Sequence, residues 1–246
     1  IEVLREKLVQ AKKENKLPKL VVPVHFAGQS CEMKDIWELS KEYGFKVIED
    51  ASHALGGEYK NKKVGCCEYS HITVFSFHPV KIITTGEGGA ITTNDKDLDE
   101  KIKLLRSHGI IRNKEKFKNN NDGDWYYEQQ VLGFNYRLSD IQAALGISQL
   151  KRLDSFVLRR REIAKRYFDE LNNSVLPYQH LDTNSSWHLF VIKIKDRKEV
   201  FRKLKKQGII TQVHYIPINK QPFYDNKKIE NSDNFYQYCL SLPIYV

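Results

Sequence analysis

The chain has 246 residues, 41% apolar and 29% charged, and its 40 Lys and Arg outnumber 31 Asp and Glu for a formal net charge of +9. This is an ordinary globular composition, long enough for a sizeable core and one or two domains. No apolar run approaches the ~20 residues that span a bilayer, and no signal-peptide pattern is present, so a cytoplasmic protein with no membrane partner is expected.

In chain order, residues 1–17 read as a basic helix ended by Pro18. KLVVPV (residues 19–24) reads as a buried strand, and Met33–Tyr43 as an amphipathic helix stopped by Gly44. Residues 45–49 give a second strand, closing a strand–helix–strand unit that implies a parallel pair and a right-handed crossover. Strands follow at residues 72–77 and 90–93, then a helix over about residues 95–107. Residues 113–127, with KNNNDGD at their centre, form a flexible polar loop. Ser139 with Gln142 three positions on is a capping box, opening a long helix through Ile141, Leu145, Leu150 and Leu153 toward Leu171. Beyond Asn172 the chain reads as strand 188–194, helix 198–207 stopped by Gly208, and strand 210–218. That block is expected to be a smaller domain, dividing the chain into 1–155 and 156–246. A helix without preceding strands and an abrupt LPIYV ending read as a fragment lacking material at both ends.

Cys31, Cys66, Cys67 and Cys239 have neither disulfide nor zinc spacing, and no H-E-x-x-H or similar cluster occurs, so reduced thiols and no metal are expected. The basic residues are dispersed. Their densest run, Arg159 to Arg161, falls on an amphipathic helix and reads as a solvated face. A polyanionic small molecule such as a nucleotide diphosphate suits this balance, and no nucleic-acid partner is expected.

In open α/β sheets ligands bind beyond the carboxyl ends of the strands. Asp50 follows KVIE, Ser76 and Lys81 follow ITVF, and Asn135 lies in the loop before the capped helix. Alone, a strand-end aspartate is a turn former and a loop lysine is a solvated cation. Together they meet the needs of a Schiff-base lysine: an amine held on a turn and shielded from water, a carboxylate for a pyridinium nitrogen, and small polar groups for a phosphate. Gly86, Gly88 and Gly89 read as turn formers that let the backbone come close.

The stretches VPVHFAGQSCEM, IEDASHALGGEYKNKKVG, FSFHPVKIITTGEGGAITTND, LLRSHG and LGFNYRLSDIQAALGISQLKRLD resemble the DegT/DnrJ/EryC1/StrS family of pyridoxal-phosphate sugar aminotransferases, over nearly the whole chain. The resemblance implies an α/β fold of the aspartate-aminotransferase type (fold type I), a three-layer sandwich with a mixed, mostly parallel seven-stranded sheet. A smaller α+β C-terminal domain would complete it, with the N-terminal part missing here. It implies pyridoxal 5'-phosphate as cofactor and Lys81 as the catalytic lysine. Asp50 would hold the pyridine nitrogen, His53 would lie near the ring, and Ser76 would hold the phosphate. Asn135 would reach the cofactor of a neighbouring subunit in a homodimer with shared sites, and with Ser76 would border the substrate. Gln212, His214 and Tyr215 would face the sugar nucleotide. The implied reaction moves an amino group from glutamate to the C4 keto group of a UDP-linked 4-keto-6-deoxy-N-acetylhexosamine, as in pseudaminic-acid-type biosynthesis, with little activity expected of this segment alone. Amination of C3 or of another sugar, and a non-catalytic cofactor-binding regulator, stay open as alternatives.

Overall fold

Period-two burial builds the first layer. In the computed structural model, which describes residues 1–119, 122–224 and 227–245, helix α1 (Glu2–Lys13) precedes strand β1 (Leu20–Val21), and helix α2 (Met33–Tyr43) leads into β2 (Lys46–Asp50). Val47 and Glu49 of β2 point inward and are buried, as alternation along a strand requires. A small hairpin, β3 (Glu58–Tyr59) and β4 (Lys62–Lys63), comes before β5 (Ile72–Ser76) and β6 (Gly89–Thr92). The sheet order is β1-β2-β5-β6, with β1, β2 and β5 parallel and β6 antiparallel to β5. The carboxyl ends of β2 and β5 therefore lie side by side, with Asp50 opposite Val74.

Helix α3 (Lys96–Arg106) is capped by the Asp95 carboxylate, which accepts from the N–H groups of Asp97 and Leu98. Strands β7 (Ile110–Ile111) and β8 (Glu128–Gln129) pair across the polar loop. Asn120 and Asn121, at the centre of that loop, lie outside the described residues. Just before them the chain is tied down: the buried Glu128 carboxylate accepts from the N–H groups of Lys118 (2.7 Å) and Asn119 (2.8 Å). Helices α4 (Asp140–Leu150) and α5 (Leu153–Glu170) follow, then β9 (Thr183–Asn184), β10 (Phe190–Lys193), α6 (Arg197–Lys206), α7 (Glu230–Tyr238) and β11 (Cys239–Leu242). Strands β10 and β11 pair antiparallel.

One hydrophobic cluster joins Leu8, Met33, Leu39, Phe45 and Val47; a second joins Ala164, Trp187, Phe190, Ile192 and Leu240. Phe190 is fully buried, which stabilises the fold by about 2–3 kcal/mol. A third, small cluster of Ala51, Ala54, Val64 and Phe75 lies directly beneath the ends of β2 and β5. Among the described residues no helix is long and apolar enough to cross a membrane.

Four expectations need correction. Residues 19–24 are not a buried strand: β1 is a sheet edge, and Leu20, Val22 and Val24 are 43%, 48% and 51% exposed. The single long helix is two, because Arg152 N–H bonds three residues back to Gln149, tightening the end of α4 before α5 begins. Residues 210–218 form no strand; Gln212 exchanges both backbone bonds with Ser241 of β11, and the chain then leaves that pairing. The solvated-face reading of Arg159 to Arg161 fits Arg159, which pairs with Glu162 on the surface, but Arg160 is only 4% exposed.

Candidate active site at Lys81

The site begins with two strand ends. Asp50 closes β2; its N–H donates to Pro23 O (2.9 Å) and its own carbonyl accepts from His25 N–H (3.0 Å). The side chain turns back on the chain, Oδ1 accepting from Ser52 N–H at 3.0 Å. Ser76 closes β5, and the loop beyond it is sealed at its neck. Phe77 N–H donates to Gly88 O (2.8 Å), and Thr85 N–H and Thr84 Oγ1 both donate to Phe77 O (3.0 Å each). Inside that loop, Lys81 N–H donates to His78 O at 2.9 Å, a turn that presents Lys81 half-buried.

The electrostatics set Lys81 apart from a surface lysine. Burial lowers its pKa below the ordinary lysine value, and Asp50 opposes that by favouring the ammonium. With burial outweighing the one carboxylate, the amine reaches its neutral, nucleophilic form more readily than a solvated lysine does. Lys81 also lines a cleft of about 240 Å³ with Thr84, Gln149, Arg152, Phe156 and Arg160.

His53 stands beside this pair. Its Nδ1 accepts from Ala27 N–H (3.3 Å), so the neutral ring carries its proton on Nε2 and donates toward Tyr215 Oη at 3.3 Å. Burial, helped by the Lys81 charge and opposed by Asp50, lowers His53 to about 4. His214 is also lowered by burial and by Lys81, and its Nδ1 pairs with Ser241 Oγ at 2.8 Å.

The structure thus brings together Asp50, His53, Lys81, His214 and Tyr215, with Ser76 at the neighbouring strand end. It does not bring in Asn135 or the side chain of Gln212, both exposed. The Asn135 loop is instead strapped to the end of α3: Phe134 N–H donates to Leu105 O (2.7 Å), His108 N–H to Phe134 O (2.8 Å) and Tyr136 N–H to Arg106 O (2.9 Å). There the backbones of Gly109 and Gly133 touch so closely that a Cβ on either would collide with the other's strand of chain.

Two residues of the site escaped sequence reasoning. His188 packs its ring on His53, centroids 4.3 Å apart at 41°, and is 6% exposed. Arg160 Nη1 donates to the carbonyls of Trp187 (3.1 Å) and His188 (3.3 Å). Gly28 lets these segments meet: at φ +102° its missing Cβ would stand 2.7 Å from Ser186 Oγ and 2.8 Å from Trp187 N. A signal for Arg160 existed, since it shares a helix face with Val157 and Ala164 at spacings of three and four. None pointed from SSWHLF to Lys81, more than a hundred residues away.

The site thus sets a half-buried lysine within the electrostatic reach of a strand-end carboxylate, at the carboxyl ends of a mixed α/β sheet. The chain belongs to the DegT/DnrJ/EryC1/StrS aminotransferase family, whose model matches residues 4–246. It is 41% identical over 256 residues to the UDP-4-amino-4,6-dideoxy-N-acetyl-beta-L-altrosamine transaminase of Campylobacter jejuni, covering 98% of this chain and 65% of that one. Among solved structures it resembles Helicobacter pylori PseC, an aminotransferase of pseudaminic acid biosynthesis, with a TM-score of 0.83 at 37% identity over 94% of this chain and 62% of the other. The PLP form of Spr1654 from Streptococcus pneumoniae aligns with a TM-score of 0.78 at 26% identity, covering 93% of this chain and 64% of the other. The chain thus spans somewhat under two thirds of the length of these relatives.

Proposed function

We propose that this chain carries the catalytic lysine of a pyridoxal-phosphate-dependent aminotransferase that moves an amino group from glutamate to the C4 keto group of a UDP-linked 4-keto-6-deoxy-N-acetylhexosamine. The observation that carries this reading is Lys81, half-buried, with its ammonium form disfavoured by burial and the Asp50 carboxylate near enough to act on its charge. The narrower substrate reading rests on the C. jejuni and H. pylori relatives and on the stretches SHALGGEYKNKKVG, FSFHPVKIITTGEGGA and TQVHYIPI.

The residues fit the cofactor. One oxygen of Asp50 is taken by Ser52 N–H, and the other makes no hydrogen bond among the described residues, leaving it to accept from a protonated ring nitrogen. Among the described residues Ser76 Oγ takes only a 3.4 Å contact from His78 N–H, so its hydroxyl is available to a phosphate oxygen. Bound pyridoxal phosphate supplies an electron sink for charge that develops on the substrate carbon. Lys81 would hold the aldehyde and move the proton at Nζ. His53 would turn its Nε2–H toward the ring's oxygen. Gln212, His214 and Tyr215 would border the sugar nucleotide, with His214 kept neutral by burial. Asn135, exposed here, would complete the site of a second subunit.

The test is attachment. Added pyridoxal 5'-phosphate is expected to give a visible band that borohydride traps on the peptide carrying Lys81. Lys81→Ala should abolish both the band and turnover, the latter by at least about 10²-fold. Asp50→Asn should keep attachment but lower turnover. Glutamate alone should bleach the band by converting the aldehyde to its amine form, and in a screen the UDP-4-keto sugar that accepts the amino group should restore it. Trapping on another lysine would overturn the assignment.

A further inference from the structure

His53 is half-buried and has neighbours on several sides. Ala27 N–H occupies its Nδ1, Tyr215 Oη meets its Nε2, the Phe26 ring lies 6.0 Å from its own, and His188 covers a face at 4.3 Å. The groups whose charge reaches it are Lys81, Asp50 and His214, of which only Asp50 is negative. His188 is itself sealed: its Nδ1 has no hydrogen-bond partner among the described residues. Behind it stands the Arg160 guanidinium, a permanent cation that grips the carbonyls of Trp187 and His188. Ser186 completes the knot, its N–H donating to Gly28 O and its hydroxyl to His53 O (3.1 Å each).

We propose that His188 is a positioning residue that keeps His53 an uncharged Nε2–H donor by covering its ring face with a dry, neutral ring, and that Arg160 acts through His188 by fixing its backbone. The physical reason is solvation. A proton added to His53 needs water or a carboxylate, and the buried His188 ring, tilted against it at 4.3 Å, excludes water from that side. A proton added to His188 would be an unpaired buried charge facing Arg160 and Lys81, so the covering ring does not become charged in His53's place; burial and these neighbours hold it near 2. The consequence rests on the proposed function: a charged His53 would claim the Asp50 carboxylate that the cofactor's ring nitrogen needs. A neutral His53 leaves Asp50 free and offers its N–H to the ligand instead.

The test reads His53 directly and needs no cofactor. Imidazole ¹H–¹⁵N correlation spectra of the purified protein, recorded between about pH 5 and 8, should show His53 neutral throughout, with one tautomer. His188→Ala admits water to the exposed face, and His53 should then titrate inside the window, its midpoint raised by more than about one unit toward the ordinary value. Arg160→Met, which releases the 187–188 backbone, should do the same. His188→Phe, which keeps a dry ring, should leave His53 as it is. The proposal is overturned if folded His188→Ala or Arg160→Met protein leaves the His53 titration and tautomer unchanged, or if His188→Phe shifts them as far as alanine does. Should His188→Ala fail to fold, the other two variants decide it. Because the spectra are taken without pyridoxal phosphate, this result and the Lys81 attachment test succeed or fail separately.

Discussion

His53 and His188 bind protons more weakly in the folded protein than in the unfolded chain, burial being the main cause for each. The unfolded chain therefore takes up more protons once the pH drops below the ordinary histidine value. The stability that follows is fully present above about pH 6.5 and is lost as pH falls, toward about 4 for His53 and about 2 for His188. Within its window each residue costs about 1.4 kcal/mol per pH unit. Urea midpoints measured between pH 6.5 and 5 should fall accordingly, and His188→Phe should flatten that slope by one proton's share; an unaltered slope would assign the loss to other groups. At this scale the sequence was legible where chemistry sits close in the chain. Asp50, Ser76 and Lys81 come from two neighbouring strand ends, so a strand count points to them, whereas His53 was an expectation of the family resemblance alone. His188 and Arg160 reach the same site from a different domain-sized stretch of chain, and only the tertiary fold joins them.

Strand β2 positions Asp50, and a buried polar knot holds β2. His25 Nε2 pairs with Glu49 Oε2 at 2.7 Å, while Glu49 Oε1 accepts from Thr73 Oγ1 at 2.8 Å and from Ser70 Oγ. Burial works against the Glu49 carboxylate, yet these hydrogen bonds win and keep its pKa below the usual range. Glu49→Gln breaks a buried charged pair and should cost about 3–5 kcal/mol in urea unfolding. A loss under about 1 kcal/mol would mean that the knot is not what anchors the strand. The strand itself was readable over residues 45–49, one residue before its observed bounds, and its period places Glu49 on the same inward face as Val47. Two elements read less well for physical reasons. Residues 210–218 read like a strand but pair at one residue, Gln212 with Ser241 of β11, and the chain leaves that edge before Pro217. The apolar spacing from Ile141 to Leu171 runs unbroken, yet Ile141 and Ile147 of α4 are exposed at 84% and 60% while Val157 and Ala164 of α5 are buried. One pattern hid two helices with different partners.

The exposed apolar residues of α4 adjoin others on the loop before it: Leu132 at 88%, Phe134 at 55% and Tyr136 at 74%. A surface of this kind is costly in water and supports the proposed homodimer, with Asn135 at its centre. Ile141→Glu with Leu132→Glu should convert a dimer to a monomer in sedimentation velocity, and should lower turnover by removing the partner's contribution without disturbing cofactor attachment at Lys81. A protein that stays dimeric with both charges present would move the interface elsewhere. The fold class was legible from the strand–helix–strand unit, whereas this surface was not, because an apolar residue at helical spacing looks the same whether the core or a partner covers it. The three backbone bonds and the Gly109–Gly133 contact that strap this loop to α3 bear on the speed of such an encounter. A recognition loop that is ordered beforehand spends no folding step after collision, so two copies would associate at the rate of rigid-body docking, about 10⁵–10⁷ M⁻¹s⁻¹.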